Sequence, residues 1–173
     1  MIGHAFPEYK VYFKNTDTML YALSIGFQED ALNKSHFKFT YENDENFQAF
    51  PTNAVVINHR FADKMFNIPG FPDFNPMMLL HGEEHLEILG KIEGEKEYTV
   101  QEKVIDCQDK GKITILMIEA QIRDSEKGQV VAKVVTSIVI RGVGGYGHKG
   151  TIKIKYPTAP KDRKPDLSFE TKT

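Results

Sequence analysis

Cysteine is nearly absent from this chain: Cys107 is alone among 173 residues, and there is no tryptophan. One thiol excludes an intrachain disulfide, and it removes the paired-cysteine metal sites and haem attachment that need two. The fold must therefore rest on a hydrophobic core. A chain of this length can build one, burying about two-thirds of its unfolded surface. An excess of one charge is also missing, with 22 Lys+Arg against 24 Asp+Glu. That balance gives no broad basic field for nucleic acid and no basic face for anionic lipid, while leaving room for a local basic patch. No apolar run approaches the ~18 residues of a membrane span. A basic start followed by an apolar stretch, the mark of a secretory leader, is lacking too. The expectation is a soluble, unsecreted protein in a reducing, cytoplasm-like compartment that binds neither nucleic acid nor membrane. The C-terminal Thr171-Lys172-Thr173 is not a Ser-Lys-Leu type peroxisomal address.

What is present is unevenly spread. Met19, Leu20, Leu23, Ile25 and Phe27, after Thr16/Asp17 as N-cap, predict a short helix over 17–27 that ends at Gly26. Phe37-Lys38-Phe39-Thr40-Tyr41 alternates aromatic and polar residues and predicts a half-buried strand. From Phe47 to Leu80 four prolines break regular pairing, yet Phe, Met, Ile and Val still demand burial, so short helical turns and loops are expected there.

After His81 the pattern is sheet. Glu84 to Leu89 alternates, and so does Tyr98 to Val104, after which the phase slips at Ile105-Asp106-Cys107 as a bulge requires. Turns at Gln108–Lys112 and Arg123–Gly128 flank a strand over 113–122. Val130, Ala132, Val134, Thr136, Ile138 and Ile140 line one face of the next. Three long antiparallel strands joined by tight turns form a bent meander that needs a helix against its concave face, an α+β architecture. The chain divides into a folded unit over 1–157 and a Pro- and charge-rich linker over 158–173.

Several residues carry the elements of chemistry. Pro72-Asp73-Phe74-Asn75-Pro76 followed by His81 holds an acid and an imidazole eight positions apart. Pro76 and the short apolar run between them give no secure helix to bring both onto one water, and capping of a turn by Asp73 and Asn75 is the plainer reading. His81, Glu83 and His85 alternate, so on a regular strand they share one face and offer zinc three ligands; a strand start without metal is the alternative. Cys107, at a strand end, reads as a small buried residue rather than a nucleophile. Gly144, Gly145, Tyr146, Gly147 and Lys149 lie in a glycine-rich, basic stretch whose amides and charge suit a phosphate of a phosphorylated cofactor. A mobile loop closing the last strand is the equal alternative. Met65, Phe66, Ile68, Phe71, Phe74, Met77, Met78 and Leu80 form a Met/Phe cluster in irregular backbone, a deformable lining for a long acyl tail.

Read together, Leu20-Tyr21-Ala22-Leu23-Ser24-Ile25-Gly26, Phe37 to Glu42, Phe50-Pro51-Thr52, Leu80-His81-Gly82-Glu83-Glu84 and Gly142 to Gly147 resemble, in order, the N-terminal half of 2-enoyl-CoA hydratase 2, the MaoC-like hydratase unit of peroxisomal multifunctional enzymes. The resemblance implies a hot-dog fold, a bent antiparallel sheet around a helix, as one half of a double hot-dog. It implies a (3R)-specific trans-2-enoyl-CoA hydratase of fatty-acid β-oxidation, a lyase, in which this half binds the acyl chain. The family's Gly-Asp-x-Asn-Pro-x-His motif belongs to the other half, and this chain alone is expected to be inactive. Tyr21, Phe47, Phe50, Phe66, Phe71, Met77, Met78, Leu80, His81 and Gly82 are the substrate-binding residues expected, and Gly144, Gly145, Tyr146, Gly147 and Lys149 the coenzyme A-binding ones. Glu42 is a supporting acid or an exposed one. The remaining implications are acyl-CoA or enoyl-CoA as ligand, a second hot-dog half as partner, a homodimer, no further cofactor and a peroxisomal location. A stand-alone acyl-CoA-binding protein or thioesterase is the alternative.

Overall fold

The computed structural model describes residues 1–57, 68–152, 158, 160–168 and 170. Its frame is one five-stranded antiparallel sheet of β1 (Tyr9–Phe13), β2 (Leu79–Ile88), β3 (Lys96–Asp109), β4 (Ile113–Asp124) and β5 (Val130–Arg141), in the order β1-β3-β4-β5-β2. The expected meander is β3-β4-β5, joined by short turns in which Gly111 and Gly128 take φ of +83° and +67°. Those are left-handed conformations that a glycine adopts at little cost.

Even-numbered residues of β4 and β5 point into the core, among them Leu116, Ile118, Ala120, Ile122, Ala132, Val134, Ile138 and Ile140. β3 follows the same phase from Tyr98 to Val104. The expected bulge then lies between Val104 and Asp106, where the register with β4 shifts. Because one residue is added, Cys107 takes over the core face and Asp106 turns to the other face, opposite Met117. Two further bulges, between His81 and Glu83 and between Ile122 and Arg123, also interrupt the ladders and increase local twist.

Among the described residues, three α-helices sit on this frame. α1 (Asn15–Ser24) confirms the first expected helix but starts two residues early, since Asp17 caps from inside by accepting a hydrogen bond from the Lys14 amide at 3.0 Å. α2 (Phe37–Thr40), preceded by a 3-10 turn at Lys34–His36, stands where a strand was expected. The alternation misleads because Phe37 and Tyr41 are also one helical turn apart, their rings 6.0 Å from each other. Phe39 turns the other way, to Phe27 at 4.8 Å and Phe50 at 5.3 Å. α3 (Ala54–Ile57) follows a 3-10 turn at Pro51–Asn53, in keeping with short turns in the proline-rich stretch.

α3 packs against the sheet. Ala54 and Ile57 are buried in one cluster with Phe13, Tyr98, Val100, Ala120, Ile122, Ala132 and Val134. A second cluster joins Phe6, Ile68, Val104, Cys107, Leu116, Ile138 and Val143, with Phe71, Phe74 and Leu79 packed against it. Residues 160–168 carry no helix or strand and are exposed.

Candidate functional site

β1, α1 and α3 enclose a groove of about 420 Å³ lined by Val11, Phe13, Asp17, Leu20, Tyr21, Ser24, Val56 and Ile57. Each element delivers its residues by its own period. Val11 and Phe13 are alternate residues of a strand. Asp17, Leu20, Tyr21 and Ser24 recur at helical spacing on one side of α1, while Thr18 and Ala22 are buried on another side. The Tyr21 hydroxyl meets Thr52 Oγ1 at 2.8 Å and so ties α1 to the turn that begins α3. The carboxylate of Asp17 is engaged as the helix cap. Leu20 remains 69% exposed at the rim. The groove can accept an aliphatic chain along a largely apolar wall.

A second cavity, of about 630 Å³, brings together Gly70, Phe71, Pro72, Asp73, Gly142, Val143, Gly144, Tyr146 and Met1. Tyr146 reaches from the glycine-rich loop to Cys107 Sγ at 3.2 Å and Thr114 Oγ1 at 3.0 Å. Burial, followed by the contact with Cys107, pushes the Tyr146 phenol up to about 12. Burial likewise raises the Cys107 thiol. A thiol so placed is a packing group, as its sequence position suggested.

The same loop is organised by Asp109 at the end of β3. Its carboxylate accepts from the amides of Gly111 at 2.7 Å, Gly145 at 3.0 Å and Gly147. These hydrogen bonds, that from Gly145 first, hold the Asp109 carboxyl below its ordinary range. The amides singled out for a phosphate thus already serve a carboxylate of the chain. Lys149 of this stretch is exposed.

The remaining singled-out residues scatter. Tyr21 lines the groove; Phe71 and Asp73 line the second cavity. Phe50 lies in the Phe27–Phe39 aromatic cluster, and Phe47 is half-buried. Met77 is 86% exposed, Met78 and Leu80 are also exposed, and none of the three lines either cavity. Phe66 and Met65 lie outside the described residues. Glu42 is exposed in the turn after α2.

The bulge at Gly82 breaks the alternation that would have set His81, Glu83 and His85 on one face. Instead His81 Nε2 lies 2.9 Å from Glu84 Oε2. Among the described residues no group of three His, Cys, Asp or Glu side chains is arranged to hold a metal ion. Gly82 itself sits where a Cβ would lie 3.0 Å from the Ser137 carbonyl oxygen, a close approach to β5. Val11, Phe13, Val56 and Ile57 were missed in the sequence. The alternation Tyr9-Lys10-Val11-Tyr12-Phe13 was the available sign of β1.

This sheet and its helix define the class of MaoC-like hot-dog dehydratases. The MaoC-like dehydratase from Phytophthora capsici superposes with a TM-score of 0.72 at 31% identity, over 95% of this chain and 56% of that one. The full-length peroxisomal multifunctional enzyme type 2 of Drosophila melanogaster matches with a TM-score of 0.67 at 26% identity, over 94% of this chain and 27% of that one. Residues 11–142 match the MFE-2 hydratase 2 N-terminal domain, and the chain belongs to that family. The protein named probable enoyl-CoA hydratase 2 of Dictyostelium discoideum is 35% identical over 96% of this chain and 55% of its own length. The chain spans about half the length of the curated relatives it matches.

Proposed function

We propose that this chain is the acyl-chain-binding half of a (3R)-specific trans-2-enoyl-CoA hydratase, with the tail in the groove between β1, α1 and α3. The carrying observation is the lining of that groove: six apolar or aromatic side chains, Ser24, and an Asp17 committed to capping. Water activation requires an acid and a base around one water. Among the described residues His81 is paired with Glu84, while Asp73 belongs to the wall of another cavity. The catalytic pair therefore comes from a second hot-dog half, for which residues 158–173 are the linker, and this chain alone is inactive.

The ligand is a coenzyme A thioester. Adding water across its double bond leaves the overall oxidation state unchanged, so the reaction calls for no redox cofactor. Lys149 and the loop around Tyr146 are assigned to the nucleotide end, where the loop's amides being filled by Asp109 leaves the side chains to make the contact. A homodimer and a peroxisomal setting complete the proposal, the latter supported by relatives named peroxisomal.

Calorimetric titration with decanoyl-CoA tests the groove. Binding that is abolished by Val56→Trp, a substitution filling the groove, is the expected result. Unchanged affinity in that variant would place the tail elsewhere.

A further inference from the structure

The second cavity is built differently from the groove. Among the described residues its wall carries one charged side chain, Asp73, and no Lys, Arg or His. Asp73 is exposed, and its carboxylate takes part in no hydrogen bond or ion pair among the described residues. Its neighbour Asn75 is the residue that caps the following turn, accepting from the Met77 amide at 3.0 Å. The oxygens of Asp73 are therefore available to donors that enter the cavity. Two aromatic rings share the wall. Phe71 is held edge-on by Phe74 at 5.8 Å, and Tyr146 is fixed through its hydroxyl to Cys107 and Thr114 while 39% of the residue stays exposed. Gly70 and Gly142 add bare backbone, and a Cβ on either would meet nothing within 4 Å.

Such a wall selects among the parts of a nucleotide. An unpaired carboxylate repels phosphates, which leaves the anionic groups to Lys149. A flat, uncharged heterocycle with N–H donors fits instead, because its faces pack on aromatic rings and its donors go to the carboxylate. Resting on the coenzyme A reading above, we infer that this cavity is the adenine subsite. Asp73 accepts from the exocyclic amine of the base, and Phe71 and Tyr146 offer ring surface to the purine. At about 630 Å³ the cavity has room for a bicyclic base. The groove and the cavity then divide the thioester between them, tail in one and base in the other. Asp73 touches no reacting atom in this arrangement and is a binding residue.

The test is calorimetric titration of the wild type and Asp73→Ala with decanoyl-CoA, with its etheno-adenine derivative and with decanoyl-pantetheine. The etheno bridge keeps the purine flat and removes both amine N–H donors. The wild type should bind decanoyl-CoA about three- to tenfold more tightly than the etheno derivative, the worth of one net hydrogen bond. In Asp73→Ala that ratio should fall to about one. Affinity for decanoyl-pantetheine and the melting temperature should stay at wild-type values, since the carboxylate makes no contact within the described fold. A ratio of about one in the wild type, or a preference that survives Asp73→Ala, would overturn the inference while leaving the coenzyme A reading intact. No binding of any of the three thioesters would instead overturn the acyl-CoA reading, and this inference with it.

Discussion

His148 Nε2 lies 3.3 Å from Oδ1 of Asp106, a carboxylate with no exposed surface. Its other oxygen accepts from the amides of Thr151 at 3.0 Å and Ile152 at 2.9 Å, so one buried acid fastens the segment after the glycine-rich loop to the back of β3. Burial by itself would raise the Asp106 carboxyl. The amides of Ile152, Cys107 and Thr151 outweigh it, and the group is held below its ordinary range.

The sign of the pH dependence follows. A depressed carboxyl stabilises the fold above its unfolded value, about 3.9, and that contribution disappears as pH falls through the lower folded value. Melting temperature should therefore drop steeply below about pH 4. Asp106→Ala should cost ~3 kcal/mol at neutral pH, since several amides lose their acceptor, and should flatten the acid limb of the stability profile. A variant as stable as the wild type by urea denaturation would show that the segment is held by other contacts.

Gly144 makes a second case for structural demand in that loop. A Cβ there would stand 2.3 Å from the Gly111 carbonyl oxygen, against backbone rather than a side chain that can move. Gly144→Ala should destabilise the protein by ~1–3 kcal/mol without any ligand present. An unchanged denaturation midpoint would refute the close approach.

How far the chain could be read in advance follows from which signals are local. The meander and its bulge were legible because strands buried on one face alternate, and Asp106 in place of an apolar residue marks the slip. α2 was not, since Phe37-Lys38-Phe39-Thr40-Tyr41 satisfies both periods, and only the Phe27 and Phe50 rings decide between them. The sequence reading put an apolar lining at the Met/Phe cluster. Met77 and Leu80 looked like lining, yet Met77 precedes the edge strand β2, Leu80 lies near its start, and both stay exposed. The apolar groove of the structure is walled by the adjacent β1 and α1 together with α3, which lies further along the chain. The glycine loop's amides looked free for an anion because nothing local shows that Asp109 folds back onto them.

The strut between Tyr21 and Thr52 sets the spacing of α1 and α3. Tyr21→Phe should cost ~1 kcal/mol. In a double-mutant cycle with Thr52→Val the two losses should fall short of additivity by a similar amount. Strict additivity would mean that the hydroxyls do not interact in solution.

Lys149 separates the two ends of the ligand. Lys149→Ala should weaken decanoyl-CoA about two- to fivefold at low salt, less at high salt, as a solvent-screened ion contact does. It should leave decanoyl-pantetheine, which lacks the nucleotide, unaffected. Equal loss for both thioesters would remove the loop from the nucleotide contact.

The division of labour between a tail-binding half and a catalytic half is tested most directly by hydration of trans-2-decenoyl-CoA, followed by loss of enoyl absorbance with the purified chain alone. The account predicts a rate no greater than buffer under conditions where decanoyl-CoA is bound. Turnover that disappears in Asp73→Asn or His81→Ala would contradict it and assign the chemistry to this chain.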